Sequence, residues 1–101
     1  MSGGPQLQGF QRRFLRGRAN PLKPLVQVGE AGLSPAVVAA VEQALDDHEL
    51  VKVRLRAPED KQALAADLAR RTAAALCGVV GHTVILYRPH PDEPRLALPE
   101  R

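Results

Sequence analysis

The chain has 101 residues, 45% of them hydrophobic, with Phe10, Phe14 and Tyr87 as its aromatic residues. That is enough for one domain with one core, since about 60–70% of the unfolded surface is buried at this length, and it excludes disorder and a platform for stacking many bases. A net charge of +3 tilts the molecule mildly toward anionic partners.

The charge is unevenly placed. Before Gly29 stand Arg12, Arg13, Arg16, Arg18 and Lys23 with no acid among them, whereas acids gather at Glu42, Asp46, Asp47 and Glu49 and again at Glu59 and Asp60. Cys77 is the single cysteine, which rules out an internal disulfide. The start of the chain lacks an apolar run of signal-peptide length, and no later run approaches a membrane span. A cytoplasmic protein is therefore expected.

Residues 1–5 read as a flexible terminus. From about Gln6 to Arg16, Leu7, Phe10 and Phe14 fall on one helical face and Arg12, Arg13 and Arg16 on another. Gly9 weakens this helix and Gly17 is placed to stop it. Asn20 to Pro24 (NPLKP) is an extended connector, because each proline disfavours helix at the residue before it. Leu25 to Val28 (LVQV) predicts a short strand, and Gly29 to Gly32 (GEAG) breaks it. Ser34 and Pro35 then form a strong helix start, with Leu33 and Val38 in hydrophobic-staple positions. This second helix is predicted to reach about Asp47, burying Val37, Val38, Val41, Ala44 and Leu45.

Leu50 to Arg56 (LVKVRLR) alternates strictly, which predicts a strand with Val51, Val53 and Leu55 on one side and Lys52, Arg54 and Arg56 on the other. Pro58 opens a third helix, predicted to run to about Ala75 with Leu64 and Leu68 inward. Cys77 to Val80 and Thr83 to Arg88, joined by Gly81 and His82, predict a terminal hairpin. The fold expected is α/β: a helix, then β-α-β-α-β-β, with a mixed four-stranded sheet and helices packed mainly on one face. The domain is expected over 6–89, followed by an extended tail over 90–101. There is no internal repeat.

The sharpest local feature is the GxxG element, Gly29-Glu30-Ala31-Gly32, leading into a helix N-terminus. Free amides there carry partial positive charge, and glycines let another backbone approach closely, so phosphate is the natural ligand. Two glycines in a strand-to-helix turn commonly make only the turn. The acid-free stretch containing Lys23, the distance of the acids of the second helix, and the arginine face of the first helix all favour binding. Such cations contact phosphates along a backbone rather than read bases.

Three stretches resemble the YhbY-type CRM domain (chloroplast RNA splicing and ribosome maturation). They are ANPLKPLVQVGEAGLS (Ala19 to Ser34), VEQALDDHELVKV (Val41 to Val53) and GHTVILYRP (Gly81 to Pro89). In order and spacing the resemblance covers about Gln6 to Pro89. It implies a stand-alone CRM domain with a KH-like GxxG loop; bacterial members associate with precursors of the large ribosomal subunit and plant relatives serve in intron splicing. By the same resemblance Gly29 and Gly32 match the loop glycines, Lys23 the lysine of the PLKP-like segment, and Arg88 the arginine of the LYR motif. Arg12, Arg13 and Arg16 rest on charge and helical face alone. Glu30 departs from a family pattern that often has a basic or neutral residue there, and its carboxylate would repel phosphate.

The function expected is RNA binding on large-subunit ribosomal RNA in pre-ribosomal particles, with ribosomal proteins as further partners, no membrane and a monomeric state. The alternative is an adaptor whose acidic patch, Asp46, Asp47 and Glu49, docks a basic protein. No cofactor or metal is expected, since His48, His82 and His90 are widely spaced with one cysteine. No nucleophile-base set is visible either: the Ser34 hydroxyl suits a cap, Cys77 stands alone, and the loop lacks the Lys-Ser/Thr ending of a nucleotide-binding P-loop. Lys52, Arg54 and Arg56 read either as a second RNA surface or as the wet side of a strand. Tyr87 reads as a base-stacking ring or, more commonly, a packed strand residue.

Overall fold

The structure is a computed structural model that describes residues 5–56 and 58–100. Residues 1–4 of the expected flexible terminus, and Arg101, lie outside the described residues. The element order is α1 (Gly9–Ala19), β1 (Val26–Val28), α2 (Pro35–His48), β2 (Leu50–Leu55), α3 (Lys61–Arg71), β3 (Ala75–Val80) and β4 (Thr83–Tyr87). The strands form one mixed sheet in the order β1-β2-β4-β3. β1 and β2 are parallel neighbours joined through α2; β4 pairs antiparallel with both β2 and β3. The β-α-β-α-β-β pattern is thus realised, with the last strand inserted between β2 and β3.

The two faces of the sheet differ. Val28, Val51, Val53, Leu55, Val84 and Leu86 point to the face where Val41 and Leu45 of α2 and Leu68 of α3 close the main core. On the opposite face a smaller core of Leu15, Ala19, Leu50, Cys77, Ile85 and Tyr87 lies under α1, with Leu96 and Leu98 of the tail packed against it. Helices α2 and α3 share one face as expected; α1 covers part of the other. β4 is buried on both sides from Val84 to Tyr87, whereas β2 alternates toward its end because Lys52 and Arg54 face outward.

Local chemistry explains the boundaries. Ser34 Oγ accepts from the Val37 amide at 3.2 Å, and Pro35 occupies the first helical position of α2. For α3 the cap is Asp60, whose carboxylate accepts from the Ala63 amide at 3.1 Å, so the helix starts at Lys61 rather than at Pro58. It ends at Arg71, short of the expected Ala75, in a Schellman motif: the Ala74 amide donates to Ala69 O at 2.9 Å and the Ala73 amide to Arg70 O at 3.3 Å. The β3–β4 hairpin turns on Gly81, whose φ of +59° suits the first position of a primed turn.

The first helix departs most from expectation. It runs three residues past Arg16, straight through Gly17, and its buried residues are Leu15 and Ala19. Leu7 and Phe14 flank that core. The periodic Leu7-Phe10-Phe14 pattern therefore marks the border of the buried face rather than its centre. A glycine inside a helix costs only about 1 kcal/mol relative to alanine, less than burial of Leu15 and Ala19 returns.

Candidate nucleic-acid interface

The GxxG element forms a tight turn in which the Gly32 amide donates to Gly29 O at 3.0 Å. Gly32 has φ +75°, a left-handed conformation that glycine adopts without strain. Gly29, Glu30 and Ala31 are exposed. The amides ahead of α2 are partly spent internally: Ser34 N donates to Gly32 O, Val37 N to Ser34 Oγ, and Val38 N to Ser34 O. Among the described residues the Glu30, Ala31, Leu33 and Ala36 amides have no backbone or side-chain acceptor. The anion-binding capacity of this corner therefore lies in the turn and in Ala36, while the Ser34 cap uses up the rest.

The expected cations do not converge on the loop. Lys23 is exposed and lines a hollow with Leu25, His48, Leu50 and Lys52, at the N-terminal end of β2. Gly29 follows Val28, which pairs with Leu55 at the other end of the same ladder. Arg16 is drawn onto the sheet: its Nη1 donates to Cys77 O at 2.8 Å, and its side chain lies against Gly78, where an added Cβ would come within 2.6 Å of Cδ. That contact is on β3, three strand spacings or about 14 Å from β1. Arg12 Nη1 donates to Leu7 O, and Arg13 is exposed. The three arginines expected on one unused face thus divide: Arg12 and Arg16 build the fold, and Arg13 has no side-chain partner among the described residues.

Arg88 is a clasp between elements. Its Nη1 donates to Thr72 O at the end of α3; its Nη2 donates to Glu42 O and pairs with Asp46 Oδ1 at 2.7 Å. The acidic patch is similarly occupied. Asp47 accepts from Gln43, and Glu49 is 3% exposed with its carboxylate accepting from the amides of His90, Arg95 and Leu96. Burial alone would raise the Glu49 pKa, but these three N–H donors and the Arg95 charge outweigh it and hold the carboxyl below its ordinary value.

Charge beside the loop is sharply two-sided. A cavity of about 790 Å³ opens between the turn and α3, lined by Gly29, Glu30, Arg56, Glu59, Asp60 and Asp67 among others. Glu30, Glu59 and Asp60 stand there beside Arg56, and Asp67 is paired with Arg70 and Arg71. A second hollow of about 370 Å³ lies at the far ends of β1 and β2, lined by Gln27, Arg54, Leu55, Arg56 and His82, and contains no carboxylate. Arg56 borders both. Lys52 is spent otherwise, its Nζ donating to Asn20 O and Leu22 O and tying down the connector after α1.

Two reactive side chains are enclosed. Cys77 is buried, and burial pushes its thiol up to about 12 although Arg16 and Arg12 pull the other way. Tyr87 is 2% exposed, so its ring packs in the smaller core and cannot reach a base; burial, with Glu49 and Cys77, raises its hydroxyl. Among the described residues no three His, Cys, Asp or Glu side chains come together as a metal site, and no helix is long and apolar enough to cross a membrane.

A small α/β sheet carrying an open GxxG turn ahead of a capped helix defines the class. The CRS1 / YhbY (CRM) domain model matches residues 7–88, and the chain belongs to that family. It is 40% identical over 93 residues to a Haemophilus influenzae protein named RNA-binding protein, covering 90% of this chain and 93% of that one. It is 34% identical to Bacillus subtilis YqeI, named a probable RNA-binding protein, over 92% and 99% of the two chains. The solution structure of a hypothetical Staphylococcus aureus protein superposes with a TM-score of 0.82 at 30% identity, covering 93% of this chain and all of the other.

Proposed function

We propose that this protein is a non-enzymatic RNA-binding module that grips RNA backbone through the Gly29–Gly32 turn and nearby cations, and that it acts on large-subunit ribosomal RNA during ribosome assembly. Membership of the CRM family and the names of its relatives support the RNA-binding part. The observation that carries the reading is the exposed turn, with unspent amides at Glu30, Ala31, Leu33 and Ala36. Amides so placed donate to phosphate oxygens directly from the backbone. Exposed Arg13 and Lys23 add long-range attraction from their separate positions. The enclosure of Cys77 and the use of Ser34 as a cap favour a binding role over catalysis.

Gly29→Asp is the cleanest test of the loop, because a Cβ at Gly29 meets nothing within 4 Å and the position lacks the left-handed φ of Gly32. The variant should unfold at the same denaturant concentration as the parent. Its affinity for ribosomal RNA at low salt should fall about tenfold, consistent with one repelled phosphate contact. Unchanged affinity would remove the turn from the interface. For the assembly role, the tagged protein should sediment with large-subunit precursors and leave them on nuclease treatment; persistence after nuclease would favour docking on protein.

A further inference from the structure

We propose that the carboxylate-free hollow formed by Gln27, Arg54, Arg56 and His82 is a nucleotide subsite, in which one RNA phosphate sits between the two guanidiniums and the base meets the Gln27 carboxamide. The inference rests on the RNA-binding reading and specifies which side of the loop the strand follows.

Register creates the site. Gln27 pairs with Arg54, Arg54 with Thr83, and Thr83 with Val80, so these four form a row across all four strands. Their neighbours Val28, Val53, Leu55 and Val84 are buried in the main core, so the alternation of strand side chains sends the row to the opposite face. There α1 and the tail cover the half containing Leu50, Cys77, Ile85 and Tyr87, and this half is left open. Arg54 and Arg56 are exposed, and among the described residues neither has a carboxylate or carbonyl partner. Arg70, Arg71 and Arg88, by contrast, are all paired with acids.

Two like charges about 7 Å apart at the end of β2 repel, and although carboxylates share the larger cavity with Arg56, among the described residues none pairs with either guanidinium to relieve them. A phosphate between them does so, and guanidinium forks match its oxygens. The alternative route, between the turn and α3, is lined by the carboxylates of Glu30, Glu59 and Asp60, which repel a polyanion. Arg56, which borders both spaces, thus stands where a strand held by the Gly29–Gly32 turn passes onto the sheet. The hollow's 370 Å³ falls at the small end of the roughly 300–1,000 Å³ of small-ligand sites, enough for one nucleotide rather than a duplex. Gln27 offers both a donor and an acceptor to a base edge.

The test uses the full chain and a short end-labelled single-stranded RNA, with affinity measured across a salt series. Arg54→Gln with Arg56→Gln should weaken binding about tenfold and flatten the slope of log K against log salt by about 0.7, the contribution of one phosphate. The control is Arg13→Gln with Arg18→Gln, which removes the same charge from exposed positions of α1 and should change neither by as much. Gln27→Ala should alter the ranking of homopolymer RNAs and leave the salt slope in place. Equal losses in the two double variants would overturn the subsite, since net charge alone would then explain them. Parental behaviour of the Arg54/Arg56 variant, with Gly29→Asp still impaired, would overturn it while leaving the RNA-binding function standing. A parent protein that ignores RNA at low salt would overturn both.

Discussion

Arg88 illustrates how a motif residue can be spent on architecture. Its guanidinium reaches Thr72 O, Glu42 O and Asp46, joining β4 to the ends of two helices, and its side chain is only 22% exposed. Arg88→Ala should therefore lower unfolding free energy by about 2–3 kcal/mol, the loss of charge-assisted hydrogen bonds to partly buried acceptors. The RNA salt slope should stay unchanged, with denaturant titration and RNA titration as the paired readouts. Ala73 offers the opposite sign. It holds φ +54° in the Schellman turn after α3. A non-glycine residue there costs about 1–2 kcal/mol, partly offset by the greater unfolded-state freedom of glycine. Ala73→Gly should raise the urea midpoint, worth about 0.5–1 kcal/mol, without altering the m-value. The role of Ala73 is not legible in the sequence, because alanine carries no sign of its φ, and an arginine beside tyrosine reads as readily as the partner of an acid as it does a phosphate ligand.

The tail after β4 behaves as an element held at one point. Glu49, itself at φ +59°, accepts from three tail amides, while Leu96 and Leu98 pack on the smaller core and Pro99 O accepts from Gln11 Nε2. The Glu49 pKa is lowered on folding, so its contribution is fully present above its ordinary value of 4.5 and is lost as pH falls through the lower folded value. Protection of the His90, Arg95 and Leu96 amides, relative to the unfolded chain at the same pH, should fall as pH drops through that lowered value while Leu68 and Leu86 stay protected. Glu49→Ala should show the fast exchange at neutral pH, and equal protection in parent and variant would refute the clasp. In the sequence Glu49 reads as one more surface acid at a helix end, and the tail reads as extended. What ties them is a contact across more than forty residues, which periodicity does not report. Elements whose signals are local, by contrast, are legible: the Ser34-Pro35 start of α2 and the alternation of β2 both stand as read. The first helix continues to Ala19 rather than stopping at Gly17, because burial of Ala19 overrides the glycine.

Across the whole molecule, the net charge of +3 conceals a division that bears on function. The space between the Gly29–Gly32 turn and α3 is lined by carboxylates, and the hollow at the ends of β1 and β2 by Arg54 and Arg56, which have no acidic partner among the described residues. The family and the loop could be read from three separated motifs, and the strand order could not, because β4 enters between β2 and β3 only once the hairpin folds back. Nor could the grouping of cations: Lys23 and Arg16 are close in sequence yet lie beside β2 and on β3 respectively, while Gln27 and Arg54 become neighbours through register. The central claim is that RNA is held at the turn and leaves it on the arginine side. Titrating isotope-labelled protein with single-stranded RNA and following its amide resonances tests this most directly. The account predicts the largest shifts at Glu30, Ala31, Gly32 and Ala36, extending to Gln27 and Arg54–Arg56. Shifts confined to α3 or to the tail, with the turn silent, would contradict it.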